Sequence, residues 1–184
     1  IKQGKETILV EPEPRSIEAI ESYFEGYNNV TLIPAAIYKH NGTITLSKAE
    51  ASTFVSDLPT SPALKNDSYQ IDNNNKIEVE CKLFSDIDKG DIDLLSIDTE
   101  GSEWYVLLTI ISRPKVISIE THGKYYINPF IKEIKNWMIE NDYEIWFKDK
   151  SDTVYFKKGL FNISLKENIS LQLTNFYLWF RRNK

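Results

Sequence analysis

The stretch Asp91-Ile-Asp-Leu-Leu-Ser-Ile-Asp-Thr-Glu-Gly-Ser-Glu103 constrains this chain more than any other part of it. Ile92, Leu94, Leu95 and Ile97 read as a strand buried on both faces, the habit of strands in parallel sheets. The run ends in two carboxylates, Asp98 and Glu100, and a glycine. Ser102-Glu103 then opens an amphipathic segment that predicts a helix to Ile111, stopped by Arg113-Pro114. In open α/β sheets ligands sit outside the carboxyl ends of the strands. Acids placed there are costly to bury unless they bind something, so Asp98 and Glu100 are site candidates.

The same grammar recurs along the chain. Thr7–Val10 reads as a strand closed by Glu11-Pro-Glu-Pro14, whose prolines bar an immediate helix. Ser16 is placed to cap a helix with Ile17, Ile20 and Phe24 on one face, and Gly26 sits where a C-terminal cap is wanted. Val30–Tyr38 is a second strand, and Asn41-Gly42 signals a hairpin to a returning strand over Thr43–Leu46. Residues 48–75 lack periodicity and read as one long surface loop. Ile77–Cys81 alternates as a strand, and Val116–Ile119 is another, ending in Glu120-Thr-His122. Asn128-Pro129 precedes a helix with Phe130, Ile131, Ile134, Trp137 and Met138 on its buried stripe. Strands over Tyr143–Phe147 and Thr153–Phe156 follow. Repeated strand–helix–strand order predicts an α/β fold: a mostly parallel sheet with helices on both faces. The apolar tail from residue 160 reads as a strand or helix sealing an open edge, with a membrane or partner anchor as the competing reading.

Composition excludes several classes. A formal net charge of -5 argues against a nucleic-acid surface. No apolar run is long enough for a membrane span and no signal-peptide pattern occurs. The single cysteine, Cys81, rules out an internal disulfide framework, so a cytoplasmic setting is the plain reading. Seven glycines, none grouped as G-x-G, leave no phosphate cradle, and no G-x-S-x-G elbow is present. What remains is a set of polar groups at strand ends: Glu11, Asp98, Glu100, Glu120 and His122. An imidazole beside Glu120 would suit general-base work. The oxygen donors would suit Mg²⁺ or Mn²⁺, although no spacing singles out a metal site.

The segments Ile8-Leu-Val-Glu-Pro-Glu-Pro14, Val30-Thr-Leu-Ile-Pro-Ala-Ala-Ile37, Asn41-Gly42, Asp93–Glu103, Ile117–Glu120 and Asp152–Phe156, in that order, resemble the FkbM family of S-adenosylmethionine-dependent methyltransferases. The resemblance spans roughly residues 8–157. It implies a class I methyltransferase (Rossmann-like) sheet whose last strand is antiparallel, over 1–159, with 160–184 as a carboxyl-terminal extension. It also implies O-methylation of a hydroxyl on a sugar, a glycan or another small-molecule, natural-product acceptor.

Residue by residue, Glu11 would grip the ribose hydroxyls of the cofactor beside Pro12, and Pro34, Ala35 and Ala36 would flank the adenine. Asp98 would lie at the reacting centre. Glu100, Glu120 and His122 would shape the acceptor pocket, with His122, Asp98 or Glu120 taking the acceptor proton. Mg²⁺ is an optional assistant. The first strand and glycine-rich turn of the family have no counterpart here, and the expectation is that they precede Ile1 in a longer protein. Two other readings stay open. Asp98-Thr99-Glu100 also resembles the acid–x–acid metal site of nucleotide-sugar glycosyltransferases, and the chain could be a non-catalytic binding module.

Overall fold

The structure is a computed structural model that describes residues 4–49, 52–72 and 74–182. Its first unit is a parallel pair, β1 (Thr7–Val10) with β2 (Val30–Ile33), in which Thr7 lies opposite Val30 and Val10 opposite Ile33. The crossover carries α1 (Pro14–Tyr23). The expected proline stop is corrected here. Pro14 is the first helical residue, a position where its missing N–H costs nothing. The cap is Glu13 rather than Ser16: the Glu13 carboxylate accepts the Ser16 N–H at 2.8 Å.

A second sheet runs in the order β3 (Ala36–Ile37), β6 (Lys76–Lys82), β4 (Gly42–Ala49), β5 (Ser52–Val55). Two expectations change. Asn41-Gly42 does not join a paired hairpin, because β3 and β4 flank β6 on opposite sides, parallel and antiparallel. The Asn41 side chain instead accepts the Leu83 N–H and donates to Asp86, each at 2.7 Å. The supposed long loop 48–75 holds the end of β4, the strand β5 and a short helix, α2 (Pro62–Lys65). Four-residue elements are too short to show a period, yet Phe54 of β5 is fully buried.

The third sheet has the order β7 (Leu94–Ile97), β8 (Val116–Glu120), β10 (Asp152–Lys157), β9 (Tyr143–Lys148). Only β7 and β8 are parallel; β10 runs antiparallel to both its neighbours. The fold is therefore mixed α/β, with one parallel pair and two sheets of mixed orientation, and the strand pairing does not by itself join them into the single mostly parallel sheet expected. β1 and β7 are not hydrogen-bonded to each other.

Ile97, Ile117, Ile119 and Tyr155 pack on Val106 and Leu107 of α3 (Trp104–Thr109) and on Ile134 and Met138 of α4 (Ile131–Glu140). Val10 and Ile33 join the same core, so β1–β2 and β7–β8 share one apolar layer. The other face of β7 corrects the reading of a strand buried on both sides. Leu94 is 69% exposed and Ser96 is exposed, while Leu95 and Ile97 point inward, as the two-residue pleat requires. The tail forms α5 (Leu165–Arg182), which lies along β9.

Truncating Ile119→Ala should cost about 2–5 kcal/mol of unfolding free energy through the cavity it leaves. Leu94→Ala, on the open face, should stay within about 0.5 kcal/mol. Urea denaturation of both variants checks the assignment of faces.

Candidate active site

The carboxyl ends of β7 and β8 are held together by Glu103, a fully buried acid. Its Oε1 accepts the N–H groups of Thr99 and Gly101, both at 3.0 Å. Its Oε2 accepts the side-chain amide of Asn128, which also donates to the Glu120 carbonyl at 3.4 Å. One side chain thus shapes the turn after β7 and fastens it to the segment after β8. The turn itself is strained: Glu100 sits at φ +54 and Gly101 at φ +111. At Gly101 a Cβ would lie 3.0 Å from the Thr60 carbonyl oxygen and 3.3 Å from the Tyr126 hydroxyl, so glycine is required there. The Glu100 carboxylate accepts the Ser52 hydroxyl at 2.8 Å, from the stretch that reads in sequence as loop.

Because side chains alternate, Asp98 and Glu120 share the face of Ser96 and Ser118, away from the apolar layer. Carboxylate oxygens of Asp98, Glu103 and Glu120 all lie within 4.8 Å of one another. Such crowding raises the cost of ionising any of them. Burial, reinforced by Glu103, Asp98, Glu100 and Asp152, pushes Glu120 up to about 9. Burial raises Glu103 to about 7 in spite of the hydrogen bonds it accepts. Asp98 is raised by burial and by Asp152, Glu100 by burial and the nearby Asp98 and Asp67. Glu11, past the end of β1, is raised by burial and feels Asp98 as well. Among the described residues, five buried polar atoms around this turn lack hydrogen-bond partners: Oγ1 of Thr60 and Thr99, Oε2 of Glu100, Oε2 of Glu120, which is 9% exposed, and the hydroxyl of the fully buried Tyr126. Tyr126 is raised by burial and by Glu103, Glu120, Glu100 and Asp98.

Glu11, Asp98, Glu100 and Glu120 therefore fall within one negative field. His122 does not join them. It is buried, with Nδ1 2.8 Å from the Thr121 hydroxyl and Nε2 3.2 Å from the Asp149 carbonyl oxygen. It lines a separate hollow of about 280 Å³ with Lys135, Lys148, Asn175 and Trp179. Pro12 is half-buried at the head of α1, Ala35 is buried between β2 and β3, and Ala36, the first residue of β3, is buried in the core of the second sheet. Sequence reasoning missed Glu103 as the clasp and Tyr126 as the buried hydroxyl. An acid opening a helix is an ordinary sequence feature, and nothing around Tyr126 marks it.

The profile of the FkbM methyltransferase domain matches residues 1–145. The chain belongs to the FkbM methyltransferase family. No curated protein and no solved structure matches it. The FkbM match takes in the ends of β1, β7 and β8 and stops within β9, so β10 and α5 lie beyond it. Among the described residues no helix is long and apolar enough to cross a membrane.

Glu120 binds its proton in the folded chain up to about pH 9 but releases it near the ordinary carboxyl range when unfolded. The folded state therefore holds more protons over that window, and stability falls as pH climbs through it. Glu120→Gln should remove this slope, raising the melting temperature at pH 8 with little change at pH 4. Thermal denaturation across that range checks it.

Proposed function

We propose that the acid-lined end of β1, β7 and β8 binds S-adenosylmethionine, and that the protein transfers its methyl group to a hydroxyl of a sugar, glycan or natural-product acceptor. The supporting observation is the mutual crowding of Asp98, Glu103 and Glu120, with Glu120 Oε2 left unpartnered. A cluster in which every acid resists ionisation favours a ligand that brings positive charge. S-Adenosylmethionine fits that demand with its ammonium and sulfonium groups, and once bound supplies an electrophilic methyl. The class I methyltransferase architecture belongs to the same reading: β2-β1 and β7-β8-β10-β9 form two runs with one apolar layer in common.

The residues then divide the work. Glu11 accepts both ribose hydroxyl protons, a task for which one carboxylate has enough lone pairs. Pro12, Ala35 and Ala36 form the apolar border of the adenine subsite. Asp98, the exposed member of the acid group, takes the proton of the acceptor hydroxyl as its oxygen displaces sulfur. An upward-shifted carboxylate is a better base than a free one. Glu100 and Glu120 border the acceptor, and holding donor and acceptor in line provides most of the acceleration. His122 stands apart from this group, so its role is at most to shape the neighbouring hollow.

Mg²⁺ is a secondary possibility at the same place. Asp98 and Glu120 offer hard oxygen donors that suit it, and it would lower the acceptor hydroxyl's pKa. The nucleotide-sugar alternative fits less well, because Glu100 turns to Ser52 and is not in the close trio with Asp98.

Calorimetric titration should show S-adenosylmethionine binding more tightly than neutral-sulfur S-adenosylhomocysteine. Asp98→Asn should erase that preference, and Glu11→Gln should weaken both ligands about tenfold, or about 1.4 kcal/mol. Equal affinities, unaltered by either substitution, would refute the assignment.

A further inference from the structure

Helix α5 has two apolar faces, and its own domain covers one of them. Toward β9 it presents Leu171, Thr174 and Leu178, together with Glu167, which accepts the Trp146 indole N–H at 3.0 Å, and Asn175, which accepts from Lys148 at 2.9 Å. At about 100° per residue, Leu165, Ile169, Leu173, Phe176 and Phe180 fall within an arc of about 80° diametrically opposite that contact. These five remain open to solvent, at 82%, 56%, 64%, 63% and 45% of their surface. Phe176 stacks on Trp179 and Phe180, so the stripe is continuous toward its carboxyl end.

The spacing identifies the kind of partner. Ile169, Leu173, Phe176 and Phe180 step by four, three and four residues, the a/d seam of paired helices. An a/d step of this kind suits another helix, whereas a helix lying on a bilayer carries Lys and Arg along the borders of its apolar face. Here the borders are Lys166 at the amino end and then Asn168, Ser170, Gln172 and Tyr177, and no charged residue occurs from Asn168 to Phe180. Borders uncharged from Asn168 onward let the strip meet a copy of itself without like charges in contact. Together with Tyr177 and Trp179, at 55% and 60%, the stripe exposes on the order of 800 Å². That exceeds the usual largest patch on a monomer and equals one partner's share of a standard interface.

We infer that the outward stripe of α5, Leu165–Ile169–Leu173–Phe176–Phe180, is the contact through which two copies of this chain pair about a two-fold axis. The helices run antiparallel, which places the two Lys166 side chains at opposite ends instead of side by side. Two-fold pairing is self-complementary and closes on itself. This inference is independent of what the acid cluster binds.

Sedimentation velocity of the full chain from about 1 to 100 μM is the direct test. The parent should reach twice the monomer mass. Leu173→Asp and Phe176→Asp should remain monomeric, with unchanged circular dichroism and urea midpoint because neither side chain faces β9. Should these variants misfold, Leu173→Cys treated with a short bis-maleimide should give a covalent dimer that the parent, whose Cys81 is buried, does not. A parent that stays monomeric at 100 μM would overturn the inference. So would dimers that survive both substitutions, the absence of the cross-link, or a monomer that pellets with anionic vesicles.

Discussion

The buried carboxylate of Glu103 is the interaction on which the rest of this structure turns. It satisfies two backbone N–H groups in the tight turn after β7 and the amide of Asn128 beyond β8. Without it those donors would be buried unpaired, at a cost of about 1–3 kcal/mol each. The turn would also lose what holds Glu100 in its left-handed conformation next to Gly101. Asp98 and Glu120 face one another because this clasp sets the distance between their strand ends. A position that looks in sequence like the start of a helix is thus the keystone of a site.

The site concentrates negative charge to a degree that only a ligand or a proton can relieve. Acids past the carboxyl ends of β1, β7 and β8 feel one another, and every one of them is shifted toward the neutral form. A fold that needed stability alone would not gather such groups on the bare face of a sheet. The function proposed above would give that gathering a purpose, since a methyl donor with a cationic sulfur is drawn to such a field. The arrangement also separates roles the sequence had merged. Thr121 and the Asp149 carbonyl hold His122 at a hollow lined by Lys135 and Trp179, outside the close trio that includes Glu120 two residues earlier.

Beyond the family match, β10 and α5 complete the far side of the third sheet. β10 inserts between β8 and β9, and its Tyr155 enters the same core as Ile117 and Ile119. α5 then covers β9 with Leu171 and Leu178 and turns an equally apolar face outward. A helix with two apolar faces sits between two bodies, one of which is its own domain.

The sequence by itself determined the local elements whose signals are dense: the acid-tipped strand at β7, the strand at β8, the stripe of α4 and the closing pair β9 and β10. It also determined which residue types stand at the strand ends, because a strand followed by Asp98 or Glu120 has its acid wherever the strand stops. It misled where an element is four residues long, as with β5 and α2, since no period can show in so few positions. It misled at Asn41-Gly42, whose turn chemistry is real but whose flanking strands pair with β6 instead of each other. Only the tertiary structure decided which strands are neighbours, that Glu103 joins two of them, and that His122 faces away. Those outcomes depend on contacts between residues far apart in the chain, and local pattern carries no information about them.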